Sequence, residues 1–244
     1  YAWLMDLERA GAIALTGDPT RCLDLARFLA AELSVNTWSD QLSVTMVGFG
    51  QELVGLNPAR LRYSCDLDAA AVALTVDGLD AVDACTHTGI DVRTGRIRDI
   101  SADTFMPHVL LVAPHLGDDC AKLADLLEIA ATHPGQAAIA IILAGDSALA
   151  GQATWSMHLS EAGRLIVPEL GLDLLANQLP AHEATGISQM LSQAAVAADE
   201  PMPAAAGNQP WQAYCDAAGS LLPAHTLPRL AAGPRPDTKS THAH

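Results

Sequence analysis

Four short apolar runs constrain this chain more than any other feature. "GAIALTG" at 11–17, "QLSVTMVGFG" at 41–50, "HVLLVAPH" at 108–115 and "QAAIAIILAG" at 136–145 carry almost no charge and are punctuated by Gly or Pro. Apolar residues at consecutive rather than alternate positions suit strands buried on both faces. Stretches with helical spacing separate the runs. After Gly17, residues Cys22, Leu25, Ala26, Leu29 and Leu33 share one face, with Arg21, Asp24 and Arg27 opposite. "DLDAAAVALTVDGLDAVDAC" at 66–85 reads as a helix despite Gly78, and "GDDCAKLADLLEIAATHPG" at 117–135 as another, with acids at its start. The expectation is an α/β fold: a mainly parallel sheet flanked by helices on both faces.

The texture changes after residue 150. "ATWSMHLS", "GRLIVPEL" and "LGLDLLA" are short and alternating, which predicts a small antiparallel edge or hairpin, and "PAHEATGISQMLSQAAVAA" a closing helix. From Asp199 the chain turns rich in Pro, Ala and Gly without a period. The domain organisation read from this is an α/β domain at 1–198 and a linker at 199–244, with one short helix around "PWQAYCDAAGSLL".

Charge excludes some functions. A net charge of -15 with only 13 basic residues does not suit a nucleic-acid groove, which needs clustered Lys and Arg. Arg93, Arg96 and Arg98 sit among acids and read as a solvated loop. No run approaches the ~18–20 apolar residues of a membrane span. The chain opens on Tyr1 without a signal-peptide pattern, which reads as a segment or processed product. The 5 cysteines are scattered, without C-x-x-C, and read as reduced, mostly buried thiols. Trp3, Trp38 and Trp155 read as packing residues, and Trp211 with Tyr214 and Leu221 as a docking group. His115, Asp118, Asp119 and Cys120 read as a helix start, with Asp118 or Asp119 as the cap, rather than a metal site. His108 and His115 read as strand-end residues, and no metal or cofactor is expected.

One stretch invites a sharper question. "IALTGDPTRCLDL" at 13–25 has the strand–turn–helix outline of a phosphate-binding P-loop, Gly-x4-Gly-Lys-Ser/Thr. Yet Cys22, Leu23 and Asp24 occupy the places of the second Gly, the Lys and the hydroxyl. Leu23 brings no charge to a phosphate, and Asp24 sets a carboxylate where magnesium chemistry needs a hydroxyl. Asp18-Pro19 is an N-cap and first-turn pair, so the helix is expected to start at once; Arg21 is the one local cation. The strand ends that should carry a magnesium-holding acid end instead in Gly48 and in Ala113-Pro114.

The order of "GAIALTGDPTRCLDLARFLAAEL", "VTMVGFGQELVGL", "HVLLVAPH" and "AAIAIILAG" resembles the FtsK/SpoIIIE-type P-loop ATPase core, including modules of type VII secretion ATPases. "LTGDPTRCLDLARFLAAEL", "VGFGQELVGLNPARL" and "LPAHEATGISQMLSQAA" further resemble a group of large actinobacterial membrane proteins, over most of residues 1–230. The group joins transmembrane helices, often a LysM module, a P-loop-like segment, a Pro-rich linker and a bacterial transcriptional activator domain. The resemblance implies a parent anchored in the membrane, with this segment on the cytoplasmic side. Gly17, Asp18, Arg21, Cys22, Leu23, Asp24, Gly48 and Ala113 are then degenerate nucleotide-site positions. The expectation is a non-catalytic regulatory or interaction module, not an enzyme, whose partners are other domains of the parent chain or another protein. Two alternatives fit the same residues: an anion or nucleotide binder built from Arg21 and helix N-termini, and an ATPase subunit completed in trans.

Overall fold

The computed structural model describes residues 4–37, 41–100, 103–116, 120–196, 210–216 and 219–225. Its elements are α1 (Leu7–Ala10), β1 (Ala12–Gly17), α2 (Pro19–Val35), β2 (Ser43–Val47), β3 (Leu61–Ser64), α3 (Leu67–Thr88), α4 (Val92–Ile97), β4 (His108–Val112), α5 (Ala121–Thr132), β5 (Ile139–Ala144), β6 (Trp155–Leu159), β7 (Arg164–Val167), β8 (Leu172–Leu175) and α6 (Ala181–Val196). The chain divides into two units, Tyr1–Val196 and Ala197–His244. All of these elements belong to the first. The second contains 3-10 turns at Pro210–Tyr214 and Pro223–His225 and a bridge from Cys215 to Leu221.

The sheet runs β3-β2-β4-β5-β1-β6-β7-β8. Its strands are parallel from β3 to β6, and β7 and β8 add the antiparallel part. The expected α/β fold is therefore present, with one refinement: "TWSMHLS" supplies a strand that pairs parallel with β1 before the hairpin begins. The apolar runs take the middle of the sheet, and every residue of β5 is buried.

Each face has its own core. On one, Ile13, Leu15, Val44, Met46, Ile142 and Leu159 pack with Leu25 and Ala26 of α2 and Ala184 of α6. On the other, Leu110, Ile139, Ile141 and Leu143 pack with Leu74 of α3 and Leu123, Leu126 and Leu127 of α5. Gly78 fits this second layer because a Cβ there would meet Ile139 Cδ1 at 2.5 Å. The glycine that weakened the helical reading lets α3 lie close on the sheet.

Other local readings change. The arginine-rich stretch 91–98 is no open loop: Asp91 caps α4, and Arg96 makes two 2.6 Å bonds to the Glu8 carboxylate. α5 is capped by Cys120, whose sulfur accepts the Leu123 N–H at 3.3 Å. Asp118 and Asp119, the expected caps, lie outside the described residues, as do Trp3 and Trp38. All five cysteines are free, but only Cys22 and Cys85 are buried, and Cys65 is exposed. No helix among the described residues is long and apolar enough to cross a membrane.

Candidate functional site

The connection from β1 to α2 is as short as the chain allows. β1 runs through the centre of the sheet and ends at Gly17, with φ +100°. A Cβ there would collide with the Leu159 carbonyl oxygen and come within 2.8 Å of the His158 ring, so glycine is required. Asp18 follows as the N-cap of α2, with Pro19 in the first helical position. Three of the backbone donors around the turn are already taken. The Asp18 N–H donates to Leu159 O at 2.9 Å, the Arg21 N–H to the Asp18 carboxylate at 2.8 Å, and the Cys22 N–H to Asp18 O at 2.9 Å. Pro19 has none. The helix N-terminus is thus closed by an aspartate, where an anion site would leave its N–H groups facing outward.

The side chains of the turn point into architecture. Arg21 donates through Nε to Glu161 O at 3.2 Å and through Nη1 to Gln178 Oε1. This ties it to the β6–β7 turn and to the segment before α6. Cys22 is fully buried; burial, and then the charges of Asp146 and Asp18, push its thiol up to about 12. Leu23 packs, half-buried, on the core beside α2. Asp24 lies on the flank of α2 at 5% exposure, away from the turn. Its carboxylate meets Arg27 Nη1 at 3.1 Å, Arg27 Nε meets Glu52 at 2.8 Å, and the guanidinium stands 5.9 Å from the Phe49 ring centre. The Asp24 carbonyl also accepts the Leu179 N–H at 2.9 Å. The acid standing in the hydroxyl's place fastens α2 to the 3-10 turn Gln51–Leu56 and to the approach to α6.

Gly48 and Ala113 come together, but not with Gly17. A Cβ on Gly48, where φ is +81°, would meet Leu116 Cδ1 and, at 3.0 Å, Ala113 Cβ. These residues close the C-terminal ends of β2 and β4, which lie three and two strands from β1. At ~4.8 Å per strand that is about 14 and 10 Å. All eight positions fall along the C-terminal side of the parallel strands, where open α/β sheets place their ligands, and they form two clusters rather than one.

The strand beside β1 is β5, and it ends in Gly145 and the exposed Asp146. Gly145 donates to Leu15 O at 2.9 Å, and Asp146 is near enough to act on the Cys22 thiol. Sequence reasoning passed over Asp146, although an acid directly after the run "AIAIILAG" was a visible signal. Glu52 and Gln178 were also missed; they are distant in sequence and meet Arg27 and Arg21 only through the fold. Thr16 Oγ1 lies 3.5 Å from His158 Nδ1, although the sequence alone reads His158 as an edge-strand residue without a nearby partner.

Two hollows flank these clusters. One of about 520 Å³ lies between the first turns of α2 and α6 and is lined by Leu23, Asp24, Arg27, Pro180 and His182 among others. The other, about 470 Å³, lies beyond β3 and β4 and is lined by Cys65, Asp66, Leu67, Asp68, Leu116 and Cys120. There the Cys120 thiol donates to Asp68 at 3.0 Å, and burial followed by that carboxylate raises its pKa. Among the described residues no three His, Cys, Asp or Glu side chains are grouped to hold a metal ion.

No protein-family model and no curated protein sequence matches the chain. Solved structures do. The chain is similar to Thermomonospora curvata EccC (ATPases 2 and 3) in complex with a signal sequence peptide, at 17% identity and a TM-score of 0.58, covering 78% of this chain and 44% of that one. A second likeness is to the cytoplasmic domain of the Thermomonospora curvata type VII secretion ATPase EccC, at 18% identity and TM-score 0.56, over 76% of this chain and 27% of that one. A third is to the pCW3 conjugation coupling protein TcpA, monomer form with ATPgS, at 12% identity and TM-score 0.51, over 78% and 66%. The chain thus spans less than half of either EccC chain. These likenesses show a P-loop NTPase-like α/β fold. They also correct the expectation that the chain is no enzyme, because the EccC chains that share the fold are ATPases. The physical reason is that sheet and helix packing carries this fold, so missing phosphate-gripping side chains leave the architecture of an ATPase in place.

Proposed function

We propose that this chain is a regulatory or interaction module of P-loop ATPase architecture, working as one domain of a longer assembly. The observation that carries the reading is the Asp18-capped turn. The Asp18, Arg21 and Cys22 N–H groups and the one local cation, Arg21, are engaged by the protein itself. Calorimetric titration of the chain with ATP and magnesium tests it. The expected result is affinity weaker than about 1 mM, less than about 4.1 kcal/mol of binding free energy. Micromolar binding overturns the reading in favour of an anion site built on Arg21.

A second reading follows from the likeness to EccC, which is described by its ATPases 2 and 3. Here the module contributes to turnover as a subunit completed by a neighbour, which supplies the lysine absent at Leu23. Asp146, beside β1, is the acid this chain would bring. Mixing the chain with an FtsK/SpoIIIE-type ATPase should then raise turnover; an unchanged rate dismisses this version. The sequence resemblance supports a parent anchored in the membrane, with LysM and transcriptional activator domains and this module on the cytoplasmic side. Fractionation of the intact parent, with recovery in the membrane pellet, tests that placement.

A further inference from the structure

Among the described residues, α3 carries a stripe that belongs to no core cluster. Its buried face is Leu67, Ala71, Leu74, Gly78, Ala81 and Cys85. Val72, Val76 and Leu79, spaced four and three apart on the opposite side, are 45%, 54% and 48% exposed. Solvent-facing helix positions favour Ala, Glu or Lys. Valine there costs helix propensity as well as apolar exposure, and at about half exposure it gains little from packing. The helix carries Asp68, Asp77, Asp80 and Asp83 and no Lys or Arg. One turn before Val72, Asp68 also lines the hollow beyond β3 and β4, with Leu116 at its rim, 46% exposed. Stripe and hollow therefore adjoin at Asp68 and form one track, apolar along the helix and polar in the hollow.

We propose that this track docks a cationic amphipathic helix of a partner protein. The partner's apolar side chains lie along Val72, Val76 and Leu79, and its Lys or Arg residues flank them towards Asp68 and Asp80. Charge selects this occupant. A second copy would set α3's carboxylates against one another, and an anionic membrane surface or a nucleic acid would be repelled in the same way. The span from Asp68 to Asp83 is about 22 Å at 1.5 Å per residue, room for some four turns of a partner helix. This deepens the interaction reading and stands apart from the β1–α2 turn. Tight ATP binding would overturn that reading without touching this one.

The test uses the full chain and a fluorescein-labelled synthetic helix about 18 residues long. The probe carries Leu at positions spaced four and three apart, flanked by Lys and Arg. Controls are a scrambled peptide of equal composition and a version with Glu for each basic residue. Fluorescence anisotropy should show saturable binding of the first peptide alone. Val76→Lys should weaken it by roughly tenfold or more. Asp80→Asn should weaken it by about threefold and flatten its salt dependence. Leu79→Gln serves as a second variant, and a urea midpoint establishes that each variant is folded. Equal binding of the scrambled peptide overturns the proposal, as does unchanged affinity in folded Val76→Lys and Leu79→Gln. Self-association of the chain that Val76→Lys abolishes also overturns it, in favour of a second copy.

Discussion

α2 and α3 begin alike and end differently. Each is capped by an aspartate whose carboxylate accepts a backbone N–H at 2.8 Å, from Arg21 in one and Ala69 in the other. Along α2, Arg21, Asp24 and Arg27 are all bonded to other elements or to each other. Along α3, three apolar side chains stand in solvent at the outer pole. The charges where nucleotide chemistry was sought serve architecture, while Val72, Val76 and Leu79 on the outer side of α3 belong to no core cluster of the described residues. Position in a motif and use in a fold are separate questions, and bonding and burial decide between them.

The hardest blow to this contrast falls on the ion network of α2. Arg27→Leu leaves the buried Asp24 and the partly buried Glu52 without their counter-charge. It should cost about 3 kcal/mol in urea unfolding; a loss below about 0.5 kcal/mol would reduce the network to an ordinary surface pair. Next is Gly17→Ala, with its positive φ and a Cβ forced against a backbone carbonyl. A cost of about 2 kcal/mol is expected. A variant that keeps wild-type stability would mean that the turn yields, and with it the claim that the turn is closed.

Burial of Cys22 gives a pH signature. Its thiol is raised from 9.0 to about 12, so between those values the folded chain holds a proton that the unfolded chain has released. This contribution to stability is fully present below pH 9.0 and is lost as pH rises towards 12. At pH 10 the loss is about 1.4 kcal/mol. Unfolding at pH 7.5 and pH 10 should show a smaller drop in Cys22→Ala than in the parent; equal drops would place the thiol in contact with water. The smallest effect belongs to α3. Val76→Ala should leave stability within about 0.5 kcal/mol, or raise it slightly, since Ala is the better helix former. A marked loss would show that the outer stripe packs on something in the chain itself.

The centre of the sheet was plain from sequence, since β1, β2, β4 and β5 are consecutive apolar runs. β3 was not. It is four residues long at a sheet edge, with Arg62 and Tyr63 exposed, and shows neither alternation nor a run. α4 was hidden because its arginines looked solvated, and only the fold brings Glu8 to Arg96. At the candidate site, the Asp18-Pro19 signal is local and could be read. The role of Asp24 could not, because its partners Arg27 and Glu52 meet only once the 3-10 turn has packed on α2. Asp146 was legible too, since it directly follows the run "AIAIILAG" on the strand beside β1.

That neighbour has a consequence in time. β1 sits between β5 and β6, both made much later in the chain. During synthesis at ~5–20 residues per second, the first strand waits through roughly 120 residues, on the order of 6–24 s, before either edge finds its mate. In that interval "AIALTG" is an unpaired apolar segment on a nascent chain. It is there, more than in the finished fold, that such a segment is open to misassociation.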